Sequence, residues 1–318
     1  MKPFNVFPYG SNFDFMRLRW VSLTLAALIM FVAIGAMFVK GFDFALDFTG
    51  GTSVELNFAK PADVDGVRTR LFAAGYESAQ VQSLGSGNDL LVRLQPKEGV
   101  AQTDTAQTAD DVVRIASTPD NPATRRSSGY VGPQVGRELA LNGMYAILFV
   151  VLGFLVYISA RFEWKFAVAA IITTLHDVVV VAGWFALSGH EFDLTVLAGV
   201  LSVMGFSIND TIVVFDRVRE NFRGMRASPE EVLNKSINQT LSRTVITSFV
   251  AFLTVLALYL YGGGSLRGMA ESQMIGIIIG TLSSIFVACP LLTMWFLKVS
   301  KQDLMPKAKD EAALARRP

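Results

Sequence analysis

The chain is 318 residues long, 52% hydrophobic and 17% charged, with a mean hydropathy of +0.42. That is too apolar for an ordinary soluble domain, and several runs are long enough to cross a bilayer. A net charge of +1 argues against nucleic-acid binding, one cysteine allows no internal disulfide, and two scattered histidines give no metal-ligand spacing.

Residues 1–20 are polar and aromatic, with Lys2, Arg17 and Arg19 ahead of the apolar run 21–39. Basic residues before an apolar stretch also open a secretory signal. This run is longer than a signal core and no small-x-small cleavage site follows, so it reads as a retained first membrane helix.

Residues 40–138 are polar and domain-sized. The stretch TSVELNFA at 52–59 alternates as a strand, and 61–75 has helical spacing between Pro61 and a closing Gly75. Two short strands at 78–84 and 89–95 flank Gly85, Ser86, Gly87 and Asn88, a hairpin signal. Residues 108–116 suggest a second helix and 127–131 a last strand. The order βαββαβ predicts a small α+β, ferredoxin-like domain, a fold that names no function.

Five further apolar runs follow at 139–158, 166–187, 194–215, 244–261 and 274–297. With the first, they predict an α-helical membrane protein of six transmembrane helices, one before the domain and five after it. Between the fourth and fifth lies a polar connector, 216–243, with a Ser-Pro-Glu-Glu helix start at Ser228. The last run carries Gly276, Gly280, Ser283 and Ser284 as a small-residue face, and Cys289 before Pro290 in a packing position. The tail 298–318 is charged.

Lys and Arg set the orientation. The connector holds six, the tail six and the leader three, against none in 188–193 and one in 262–272. Long loops cross largely regardless of charge, so residues 40–138 do not count. Both termini are therefore expected in the cytoplasm, with the domain on the far side.

The fourth run is the most informative. In LTVLAGVLSVMGFSINDTIVVFDRVRE, Ser207, Asn209 and Asp210 lie inside an apolar stretch. An ionisable group at that depth costs several kcal/mol and by default marks an ion or proton pathway. The alternative is a carboxylate near the interface that snorkels to water, since Asp216 follows about 9 Å on. His176 and Asp177 interrupt the third run near its centre, as a relay, because His titrates near neutrality, or as a satisfied internal pair.

Four segments resemble the SecD/SecF family of protein-export membrane proteins, and within it the SecF branch. They are DFTGGT at 47–52, VGPQVGREL at 131–139, His176-Asp177, and GFSINDTIVVFDRVRE at 205–220. The resemblance implies half of a resistance-nodulation-division transporter architecture with a periplasmic domain after the first helix, in the bacterial inner membrane. It further implies a SecD-like six-helix partner, the SecYEG channel, an unfolded preprotein as cargo and protons as the drive. By the same resemblance Asp210 is the proton carrier and Arg243, at the mouth of the fifth run, its basic partner. Arg243 read from the residues alone is equally a positive-inside anchor. Asn209 and Ser207 would hydrogen-bond the carboxylate or a water, or serve as helix–helix glue. Gly50 and Gly51 look like a tight-turn hinge between helix and strand, with Gly132 and Pro133 the corresponding joint on return.

No GxxxxGK[ST] phosphate loop is present, so an ion gradient rather than ATP is the natural energy source. No cofactor or metal is expected, and no enzymatic activity. Two other classes compete: a solute or lipid exporter, disfavoured by the small domain, and an intramembrane serine hydrolase built on Ser207 and His176. The hydrolase is disfavoured because Ile208 stands where a rhomboid-type site wants Gly.

Overall fold

The computed structural model describes residues 12–77, 79–84, 87–94 and 105–299. Ser78 and Gln95, at the ends of two predicted strands, lie outside the described residues, as do Gly85 and Ser86 of the hairpin. The elements run α1 (Arg19–Val39), β1 (Asp43–Phe44), α2 (Leu46–Thr49), β2 (Gly51–Phe58), α3 (Val64–Ala73), β3 (Gln80–Leu84), β4 (Asp89–Leu94), α4 (Thr105–Ala116) and β5 (Ala123–Val131). They continue with α5 (Pro133–Arg161), α6 (Trp164–Ser188), β6 (Glu191–Phe192), α7 (Leu194–Gly224), α8 (Pro229–Tyr261), α9 (Gly264–Ser283), a π-helical turn at Ser284–Ala288, and α10 (Cys289–Leu291).

Strands β2 to β5 form one antiparallel sheet in the order β3-β4-β2-β5. Alternation along β2 puts Val54, Leu56 and Phe58 on one face, where α3 and α4 cover them with Val67, Leu71, Ala109, Val112 and Ala116. Helix α3 starts at Val64, after Pro61, because Asp63 caps it: its Oδ1 accepts from the Gly66 amide at 3.0 Å. Strand β5 starts at Ala123, earlier than the spacing predicts, and a bulge opposite Glu55/Leu56 lets it stay paired through exposed Arg125 and Arg126.

Six helices are long and apolar enough to cross a membrane. Helices α6, α7 and α9 form the interior of the bundle, while α1, α5 and α8 turn most of their surface outward. Small residues on α9 set its distance from α7. Gly276 lies against Val203, and Gly280 against Ser207.

The polar stretch 216–243 is helical apart from residues 225–228. Its polarity marks where the apolar layer ends, but backbone hydrogen bonding carries both helices past that point. Helix α8 begins with a full capping box. Ser228 Oγ accepts from the Glu231 amide at 3.3 Å, and a Glu231 carboxylate oxygen accepts from the Ser228 amide at 3.1 Å. Helix α9 begins at Gly264, ahead of the predicted run. It loses regular geometry at Ser284 because Pro290 has no amide to give the Phe286 carbonyl, and a π turn absorbs the mismatch. Cys289 is fully buried in the adjoining core with Ile285, Ala288 and Leu292.

The α7–α9 contact has little slack. A Cβ at position 276 would stand 2.1 Å from Val203 Cγ2. Gly276→Val should therefore destabilise the bundle by about 1–3 kcal/mol, read as a lower thermal midpoint in detergent. An unchanged midpoint would show that the helices separate freely there.

A polar seam inside the helix bundle

Helical spacing decides which polar residues point inward. On α7, Ser207, Asp210 and Thr211 share the buried face, whereas Asn209 lies on the exposed side. On α6, Thr173, Thr174, His176 and Asp177 are buried, and on α9 and its π turn so are Ser272, Ser283 and Ser284. Together they make a polar seam through an otherwise apolar bundle.

Asp177 is fully buried and well supplied with partners. Its Oδ2 accepts from Ser207 Oγ at 2.5 Å and from Ser283 Oγ at 2.7 Å, and its Oδ1 lies 3.0 Å from His176 Nδ1. Three helices thus converge on one carboxylate. They reach it because Gly280 leaves room: a Cβ there would lie 3.3 Å from Ser207 Cβ and 3.7 Å from Asp177 Oδ2. The other ring nitrogen of His176, Nε2, is buried and has no hydrogen-bond partner among the described residues.

Asp210 is held differently. It is 3% exposed, yet its side-chain hydrogen bond is long, from Ser248 Oγ to Oδ2 at 3.4 Å. The same Ser248 hydroxyl can instead donate to the Thr244 carbonyl at 2.7 Å, and it sits 2.7 Å from Thr281 Oγ1. Each hydroxyl has one proton and can rotate it between partners. Thr281, Ser248 and Asp210 therefore form a short chain of exchangeable hydrogen bonds spanning α9, α8 and α7. Around it, Thr211 Oγ1 and Thr244 Oγ1 are buried without a partner among the described residues, as is Thr174 Oγ1 on α6. Such orphan groups cost about 1–3 kcal/mol each when nothing satisfies them.

The structure brings together only some of the residues singled out from the sequence. His176 and Asp177 do pair. Ser207 meets Asp177 rather than Asp210. Asn209 faces away from both carboxylates. Arg243 is exposed on α8, and no hydrogen bond or ion pair joins its side chain to Asp210. Ser207 and His176 both contact Asp177 and not each other, so the Ser–His hydrogen bond that nucleophilic hydrolysis needs is absent. At the other end of the molecule, Gly51 pairs with Val131, which brings Gly50 and Gly51 beside Gly132 and Pro133. That junction is tightly packed. A Cβ on Gly51, whose φ is +132°, would lie 2.3 Å from the Leu94 carbonyl oxygen.

Ser248 and Thr281 are not singled out from the sequence, and Ser283 only as part of a small-residue face. Their signal was a hydroxyl on the inner face of a span, and helix–helix glue gives the same signal.

Known proteins resemble this chain. Residues 112–298 match the family model described as "Protein export membrane protein SecD/SecF, C-terminal", and residues 35–62 match that of the "SecD/SecF GG Motif". "Protein translocase subunit SecF" of Pseudomonas aeruginosa is 44% identical over 301 residues, covering 93% of this chain and 95% of that one. The SecF subunit of Escherichia coli O157:H7 is 43% identical over 282 residues, 88% of this chain and 86% of that protein. "Protein translocase subunit SecDF" of Brucella abortus is 37% identical over 299 residues, 93% of this chain but 39% of its own length. The crystal structure of SecDF from Thermus thermophilus, described as a translocon-associated membrane protein, superposes with a TM-score of 0.81 at 37% identity. That match covers 90% of this chain and 39% of the SecDF chain, so this chain spans about two fifths of such a fusion.

Removing one hydroxyl tests the Asp177 seat. Ser283→Ala leaves Asp177 short of a donor in a site water enters poorly and should cost about 1–3 kcal/mol, measured by thermal unfolding in detergent. Asn209→Ala, on the exposed face, should change the midpoint little. Equal effects from the two variants would contradict the seam.

Proposed function

The chain belongs to the SecD/SecF family of protein-export membrane proteins, and from that premise we propose that it is an accessory subunit of the Sec protein translocase. Its role is transport rather than catalysis. It pairs with a SecD-like six-helix partner, works beside the SecYEG channel, and uses the proton-motive force in the late steps of preprotein export. The partner is supported by the SecDF relatives, where a second half shares one chain with the part resembling this protein. The channel is supported by the translocon association named for the Thermus protein.

In this reading the chain sits in the bacterial inner membrane with both termini cytoplasmic. One span precedes, and five follow, a periplasmic domain. The domain is ferredoxin-like, a reading supported by the succession β2-α3-β3-β4-α4-β5 with sheet order β3-β4-β2-β5.

The observation that carries the proposal is the state of Asp210. It is a carboxylate buried inside a span with only a 3.4 Å hydrogen bond and no ion pair to hold it. Protonation makes it neutral and cheaper to bury, and deprotonation creates a charge that draws in a cation or a donor. Arg243 is the cation in reach of that role, swinging from the exposed face of α8 toward Asp210 when the carboxylate is ionised. Thr281 and Ser248 are the hydroxyls through which the proton enters or leaves. Asp177, already satisfied by hydroxyls from two other helices, is the static carboxylate of the pair. Each proton crossing the membrane potential supplies about 2.3 kcal/mol per 100 mV, enough to bias a two-state domain movement several-fold.

Asp210→Asn keeps shape and hydrogen bonding but cannot titrate. In membrane vesicles containing the partner subunit, it should insert normally and lose proton-dependent export, while ATP-driven early translocation continues. Arg243→Ala should share the defect, and the double substitution should add little to either single one, as for residues acting as a unit. Asp216→Asn, at a partly exposed ion pair with Arg161, is the control. Full proton-dependent export by Asp210→Asn would overturn the assignment.

A further inference from the structure

One charge in the sheet domain is out of place. Along β4, Leu90, Val92 and Leu94 point into the core beneath α3 and α4. Arg93 must then point from the opposite, open face of the sheet, where β4 shares a row with Ser53 of β2 and Gln80 of β3. A residue there should be solvated. The Arg93 side chain is instead only 8% exposed, paired with Glu191 in the segment just before α7 and facing the carboxylates around it.

That covering segment is acidic. Arg93 forms an ion pair with Glu191 of β6, and its charge is attracted by Asp43, Asp193 and Asp47. Burial lowers the guanidinium's pKa and these three carboxylates act in the opposite direction. The same carboxylates tie the two parts together through the backbone. Strand β1 pairs in parallel with β6, Asp43 opposite Glu191. Asp47, from the linker that leads into the sheet, accepts from the amide of Leu194 at 3.2 Å, the first residue of α7. Asp193 caps the same helix from its own chain segment, accepting from the Val196 amide at 2.7 Å. The end of α7 is therefore capped by one carboxylate of its own and one from the sheet domain's linker, with Arg93 as the cation facing them. Phe42, Phe44, Phe48 and Phe192 close the apolar side of the junction.

We propose that Arg93 is a positioning residue that locks the sheet domain onto the N-terminal end of α7, the helix that carries Asp210. The lock makes the sheet domain follow that helix. Asp210 lies about 24 Å along α7 from Leu194, at 1.5 Å per residue, and the segment between them is unbroken helix. A tilt or slide of α7 on proton exchange is thus delivered directly to the sheet domain. Without Arg93, four carboxylates face one another at the joint and the seat opens. The lock itself stands on the geometry of this junction, and only its consequence for export rests on the function proposed above.

The test uses the full chain assembled with its partner subunit. Spin labels at Thr69→Cys on α3 and Tyr261→Cys at the end of α8 report the distance between the two parts; both sites are exposed, and Cys289 is buried and does not label. The expected result is a narrow distance distribution in the unsubstituted chain, and a broadened one with loss of most proton-dependent export in Arg93→Gln. The exchanged pair Arg93→Glu with Glu191→Arg should narrow the distribution again and recover export, which a general loss of packing would not do. Should Arg93→Gln fail to accumulate, Glu191→Gln is read in the same way. Asp210→Asn is expected to abolish export with the narrow distribution intact, and this separates failure of the lock from failure of the proton reading. An unchanged distribution in Arg93→Gln, or a broadened one with full export, would overturn the proposal.

Discussion

Asp177 and Asp210 lie within helices that cross hydrocarbon, where an ionised carboxylate without partners costs several kcal/mol. Much of the bundle's architecture answers that cost. Helices α6, α7 and α9 sit at its centre because they carry the polar residues, and glycines on α9 let it approach α7 closely enough for hydroxyls to reach Asp177. Helix α8 buries its first half against the core and brings Thr244 and Ser248 to the seam, while most of its apolar span faces outward.

The two carboxylates are satisfied to different degrees, and the proposed function rests on that difference. Asp177 has donors from α7 and α9 and a histidine beside it, so changing its protonation would disturb three helices at once. Asp210 has one long bond to a serine that has another acceptor available. A group that exchanges protons at low cost needs that looser setting, with rearrangement confined to rotating hydroxyls and one long basic side chain.

In the proposed function, motion in the bundle matters only if something carries it to the sheet domain. A flexible linker would dissipate it. Here the linker is stiffened by parallel pairing of β1 with β6, by a helix cap contributed across the junction, and by a buried guanidinium among carboxylates. The glycines of the joint serve this packing. Gly51 allows β2 to run against the Leu94 carbonyl, and Gly136 lets α5 lie on the backbone of Phe48 and Gly50. The sheet domain and α7 thus share one end.

Hydropathy alone located the six long helices and the polar insert, because both depend on local composition. Period-two alternation placed Val54, Leu56 and Phe58 on one face of β2, and Asp210 stood out as a charge inside an apolar run. The start of α8 was legible at Ser228, since a capping box is written in adjacent residues. Helix lengths were not, because polar residues in 216–243 resemble a connector whether or not the backbone stays helical. The partners of the buried groups were also beyond the sequence. Ser207 bonds Asp177 instead of its near neighbour Asp210, Ser248 and Thr281 look like any other hydroxyls in a span, and Arg93 reads as an ordinary surface residue until Glu191 pairs with it. Periodicity says which side of an element a residue occupies. Which atoms from distant segments meet there depends on how closely the helices pack and on the angle at which the sheet is seated, and only the tertiary structure decides those.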